Sequence, residues 1–116
     1  MQSNLQATII ISTFNKPEWL QHVLLSFDIQ TTKNFEIIIA DDGSDEKTKA
    51  VIDQFSKNTD LNVKHIWQAD DGFQKTKILN KAIEASNADY LIFTDGDCIA
   101  RKDFVETHLE LRRLKC

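Results

Sequence analysis

The amino-acid sequence predicts an α/β fold: a mostly parallel sheet of about four strands with helices on both faces. Three observations predict it. Short apolar runs rich in β-branched and aromatic residues alternate four times with segments of helical periodicity. That strand–helix order implies right-handed crossovers and strands running the same way. The first two runs are continuously apolar, the pattern of strands buried on both sides.

The strands are "ATIIIST" (7–13), "FEIIIA" (35–40), "NVKHIWQ" (62–68) and "DYLIF" (89–93). After the first, Trp19, Leu20, Val23, Leu24 and Phe27 recur at helical spacing. Residues 46–57, with Val51 and Phe55, predict a weaker second helix, and Ile78, Leu79, Ala82 and Ile83 a third. A fourth begins near Lys102 and runs towards the C-terminus. Asn15 with Glu18, and Asp71 with Gln74, have the spacing of capping boxes. Ser44 can cap the second helix, with Asp45 and Glu46 favourably placed in its first turn.

A length of 116 residues suits one domain with one core. Hydrophobic residues make up 41% and charged residues 28%, an ordinary globular composition without repeats, linkers or low-complexity tracts. No apolar run approaches the roughly 20 residues that span a bilayer. The start lacks the basic n-region of a signal peptide. Two cysteines, Cys98 and Cys116, make no disulfide framework, so the expected location is cytoplasmic, at most peripheral at the inner membrane face. The net charge is −4 and the one basic cluster is "LRRLK" at the end, which argues against a nucleic-acid surface. An anionic nucleotide would need a metal to bridge it to so acidic a chain.

Ligands of such sheets bind at the carboxyl ends of the strands. Those ends read "STFN", "DDGSD", "ADDG" and "TDGD", three of the four with paired acids. Asp95 and Asp97, one glycine apart, raise each other's pKa unless a cation sits beside them. In an extended segment both would face one side, with Gly96 allowing close approach. Their oxygens suit Mg²⁺ or Mn²⁺, although Asp-Gly is equally a turn sequence. Asp42 offers an acceptor to a base or ribose, while Asp41 and Asp45 suit a turn or a cap. Phe14, in the first strand-end loop, suits the core, and its place beside the site also permits stacking on a nucleobase. Lys75 or Lys77 could meet phosphate or simply be solvated on an exposed helix face, and Asp71 suits a helix cap. His22, His65 and His108 lie without metal-ligand spacing and read as structural; Cys98 reads as a small buried residue.

The segments "TIIISTFNKPEWLQHVLLSF", "FEIIIADDGSDEKT", "HIWQADDGFQKTKILNKAI" and "ADYLIFTDGDC", in this order, resemble the N-terminal half of family 2 glycosyltransferases of the GT-A fold. The third is most similar to the bacterial branch of chondroitin-polymerase-type and galactosyltransferase-like enzymes. The resemblance covers about Ala7 to His108. It implies a Rossmann-like sheet and inverting transfer of a sugar from a nucleotide diphosphate donor, usually a UDP-sugar, to a saccharide acceptor, with Mn²⁺ or Mg²⁺. By position, Ser12 and Phe14 fall where the family contacts uracil, and Asp42 where an acid hydrogen-bonds it. Asp95 falls on the acid facing ribose and donor sugar, and Asp97 on the metal-binding acid.

Family members continue well beyond this motif, and that second half carries the acceptor site and the general base. Residues 1–116 are therefore expected to be the donor-binding half with the acceptor half absent, no general base assignable, and uncovered apolar surface favouring self-association. Three other readings stand beside it. A non-catalytic nucleotide-binding module shares the site and agrees with the missing half. A sugar nucleotidyltransferase would have a glycine-rich basic loop after the first strand. A phosphoacceptor receiver domain would have an acid pair there, where this chain has "STFN".

Overall fold

The computed structural model describes residues 5–70, 72 and 74–114. Its elements are β1 (Ala7–Thr13), α1 (Pro17–Asp28), β2 (Phe35–Asp41), α2 (Glu46–Asn58), β3 (Asn62–Trp67), α3 (Lys75–Ala85), β4 (Leu91–Asp95) and α4 (Phe104–Leu114). The four strands form one sheet in the order β3-β2-β1-β4, and all neighbours are parallel. The register levels their carboxyl ends: Ser12 lies opposite Ala40 and Asp95, and Asp41 opposite Trp67. β1 and β2 are the inner strands, which is why Ile9–Ile11 and Ile37–Ile39 are continuous apolar runs, with Thr8 and Glu36 buried beside them at the amino ends.

Side chains alternate across these strands. Ile9, Ile11, Ile37 and Ile39 pack under α1, α2 and α4, against Leu24, Phe27, Ile52, Phe55, Val105 and Leu109. Ile10, Ile38 and Ala40 face the other way, against Ile78 and Ala82 of α3. Each buried isoleucine or leucine contributes about 1.5–3 kcal/mol. Helices thus cover both faces, and among the described residues none is long and apolar enough to cross a membrane. The buried stripe of α1 is Leu20, Val23, Leu24 and Phe27; Trp19 falls outside it and is 52% exposed.

Glu36 lies fully buried in β2. Its carboxylate accepts from the Thr8 hydroxyl (2.7 Å) and from the Asn87 backbone N–H (2.6 Å) and side-chain amide (3.2 Å). Lys64 Nζ stands 3.7 Å away. These partners offset the cost of burying a charge and tie the α3–β4 connection to the amino ends of β1 and β2.

Three of the four helix starts differ from the predicted ones. Asn15 takes a left-handed backbone (φ 48°), which asparagine tolerates. Its Oδ1 accepts from Asp45 N (2.7 Å) and its N donates to Ser44 Oγ (2.7 Å). Asn15 is thus engaged with the start of α2, and α1 begins after Lys16, with Pro17 presetting the first turn. Ser44, occupied by Asn15, leaves the cap of α2 to Asp45, whose side chain accepts from Lys47 N. Gln74 is itself the N-cap of α3; the other half of the predicted Asp71–Gln74 box, Asp71, lies outside the described residues. β4 is displaced two residues from the predicted 89–93 because its ladder with β1 runs from Thr8–Leu91 to Ser12–Asp95.

Candidate functional site

The carboxyl ends of all four strands open on one cleft of about 470 Å³. Ser12, Phe14, Asp42, Lys75, Asp95 and Asp97, the residues singled out by sequence, all line it. Lys77 does not; it is exposed on α3.

Asp95 is the last residue of β4, and the chain turns directly after it. Gly96 N donates to Ser12 O (2.8 Å) and Cys98 N to Asp95 O (3.1 Å). "DGDC" is therefore a turn, not the extended segment expected. The turn still gathers groups that could hold a metal ion: one oxygen each from Asp95 and Asp97 and the Cys98 sulfur lie within 4.8 Å of one another. The close approach at Gly96 is to β1, where an added Cβ would stand 2.9 Å from Thr13 Oγ1 and 3.2 Å from Ser12 O. Cys98 is exposed, contrary to the buried role expected of it, because it lies in the irregular stretch between β4 and α4. Its thiol reaches Asp97 Oδ1 at 3.7 Å.

Ser12 Oγ donates to Asp95 Oδ1 (2.8 Å), and Lys75 Nζ, on the first residue of α3, stands 3.2 Å from the same oxygen. The Ser12 hydroxyl, and after it the Lys75 ammonium, hold the Asp95 carboxyl below the ordinary carboxylate value. The Lys75–Asp95 pair is about half exposed, so it adds little to stability. It does place a cation and an anion side by side where a charged ligand would enter.

Asp41 and Asp42 point to opposite sides of the sheet end. Asp41 Oδ1 accepts from Ser44 N (2.9 Å) and its Oδ2 meets His65 Nε2 (2.8 Å), so the first acid shapes the turn and His65 supports it. Asp42 faces the cleft, with Oδ1 accepting from Gln68 Nε2 (2.8 Å) and Oδ2 from Gln74 N (2.9 Å). Phe14 is 45% exposed at the rim, so its ring is open to stacking rather than part of the core. His108 packs edge-on to Phe104 and His22 is exposed; neither lies at the cleft.

Sequence reasoning overlooked Gln68, Thr13 and Lys16, and dismissed Cys98. Gln68 closes a strand-like run, and only the third dimension brings it to Asp42. Thr13 and Lys16 flank Phe14, and their place in the strand-end loop was the available signal.

The model of the family described as "Glycosyl transferase family 2" matches residues 8–112. Chondroitin synthase of Escherichia coli is 30% identical over 105 residues, covering 90% of this chain and 15% of that protein. Among solved structures, S. aureus TarS 1-349 superposes with a TM-score of 0.84 at 20% identity, over 95% of this chain and 33% of that one. It has also been solved with UDP and with UDP-GlcNAc. Mannosyltransferase PcManGT from Pyrobaculum calidifontis, in complex with GDP-Man and Mn²⁺, matches with a TM-score of 0.75 at 18% identity, over 84% of this chain and 29% of that one. At these identities the structural likeness shows the fold. The chain spans only a minor part of the proteins it matches.

Proposed function

The chain belongs to glycosyl transferase family 2, and from that membership we propose that its cleft binds a nucleotide diphosphate sugar, a UDP-sugar, for inverting transfer to a saccharide acceptor. One observation carries this reading: an aromatic ring, a buried acceptor carboxylate, a lysine and an acid pair converge from four strand ends on one cleft. Phe14 offers a stacking face to the base, and Asp42 accepts from its N–H. Ser12 orients Asp95 towards the ribose and sugar, and Lys75 stands where it can turn to a phosphate. The UDP and UDP-GlcNAc complexes of TarS support the choice of nucleotide.

Asp97 and Asp95 would hold a divalent cation, Mn²⁺ or Mg²⁺. The donor set fits: two exposed carboxylates meet at the mouth of the cleft, and hard oxygen ligands are what these ions take. The ion supplies neutralisation of the diphosphate and Lewis-acid stabilisation of the leaving group. We assign no general base to residues 1–116, which we read as the donor-binding part of the reaction. Calorimetric titration with UDP, Phe14→Ala and Asp42→Ala alongside, tests the proposal. Each variant weakens binding by about 1–3 kcal/mol while remaining folded. Unaltered UDP affinity in both would remove the base site.

A further inference from the structure

We propose that Gln68 is a positioning residue for nucleobase recognition: it sets the Asp42 carboxylate in the orientation that reads the base. This rests on the nucleotide site proposed above. Gln68 directly follows β3, and its backbone N–H donates to Asp41 O (3.2 Å), so the ladder with β2 continues through it. Its side chain therefore leaves the sheet on the α3 side, as that of Asp42 does. Only 8% of Gln68 is exposed.

The amide nitrogen donates to Asp42 Oδ1 (2.8 Å) and to Gln74 O (3.1 Å). Both partners accept only, so the amide can sit one way round. Gln74 N holds the second oxygen of Asp42 (2.9 Å), which grips the carboxylate at both ends. A carboxylate has about four acceptor positions, so these two bonds leave acceptor capacity for a ligand N–H. The grip is neutral. A lysine or arginine in place of Gln68 would fix Asp42 equally well but would cancel the charge that attracts an imide N–H. The arrangement also has a cost that packing does not explain, since Gln68 Oε1 is buried with no partner among the described residues. Violations of this kind are expected at sites kept for function.

The test is UDP titration of the full chain and of Gln68→Met, Gln68→Glu, Asp42→Ala and the double variant Gln68→Met/Asp42→Ala, with thermal unfolding of each. Gln68→Met keeps the shape but loses the donor, and should weaken UDP binding about tenfold. On the Asp42→Ala background the same change should have no further effect, a coupling that a purely structural role would not produce. Gln68→Glu sets a second carboxylate against Asp42. UDP affinity should be low at neutral pH and recover as the pair takes up a shared proton, which restores a donor to Oδ1. Wild-type affinity in Gln68→Met, or an additive loss in the double variant, would overturn the proposal. If Asp42→Ala still weakens binding in that case, the nucleotide site stands and only the role of Gln68 fails. Absence of UDP binding by the unmodified chain would overturn both.

Discussion

Replacing Gly43 by alanine perturbs the joint between two loops of the cleft. Gly43 follows Asp42 with φ +94°, and an added Cβ would stand 2.5 Å from Asp70 Cβ and 2.6 Å from Asp70 Cα and N. Two of these three atoms are backbone, so no side-chain rotation relieves the clash. The left-handed backbone costs a non-glycine residue about 1–3 kcal/mol. Forcing a methyl into occupied space costs about 1–3 kcal/mol more. Together they remove about 2–6 kcal/mol from a total stability of about 5–15 kcal/mol. With a urea slope of about 2 kcal/mol/M, the unfolding midpoint falls by about 1–3 M. Circular dichroism during urea unfolding measures it, and UDP titration of the folded variant reports displacement of Asp42 and Asp70. A midpoint within about 0.3 M of the unmodified chain, at equal slope, would refute the argument that these loops are in forced contact.

Other expectations follow from the same geometry. The Asp95 carboxyl, followed by carbon-detected NMR, titrates below the ordinary carboxylate value, and Ser12→Ala raises it more than Lys75→Met does. Because this pKa is depressed by folding, its contribution to stability is complete above the ordinary carboxylate value and is lost as pH falls through the depressed one. Glu36→Leu leaves the Thr8 hydroxyl and the Asn87 amide without their acceptor and costs about 1–3 kcal/mol in thermal unfolding. UDP affinity should be unchanged, since Glu36 sits at the opposite strand ends. Residues 1–116 given UDP-GlcNAc and saccharide acceptors should bind donor without multiple-turnover transfer, and robust turnover would place a general base among the acids of the cleft.

The parts of the fold legible in sequence were those set by burial alone. β1 and β2 are inner strands, so apolar runs marked them within a residue, and the alternation of elements implied the parallel sheet. The parts that depend on which groups meet across the chain were not legible. Asn15 and Ser44 have capping residue types, but they bond to each other's loops, so Asp45 became the cap. "DGDC" reads equally as an extended ligand pair or as a turn, and it is a turn that gathers the same carboxylates. Gln68 is only the last residue of the run 62–68 in the sequence; its significance lies in an Asp42 that is 26 residues away. The acids, by contrast, were conspicuous because they cluster at three of the four strand ends; Asp41 and Asp45 serve a turn and a cap, whereas Asp42, Asp95 and Asp97 line the cleft.

In the proposed site the cleft holds a nucleoside diphosphate through a cation carried by Asp97 and Asp95, so nucleotide affinity depends on that ion. Calorimetric titration of UDP in Mn²⁺ and in EDTA, on the unmodified chain and on Asp97→Ala, measures that dependence. UDP should bind more tightly with Mn²⁺, and Asp97→Ala should remove most of that difference while leaving the fold intact. Equal UDP affinity in Mn²⁺ and EDTA by the unmodified chain would rule out the cation bridge.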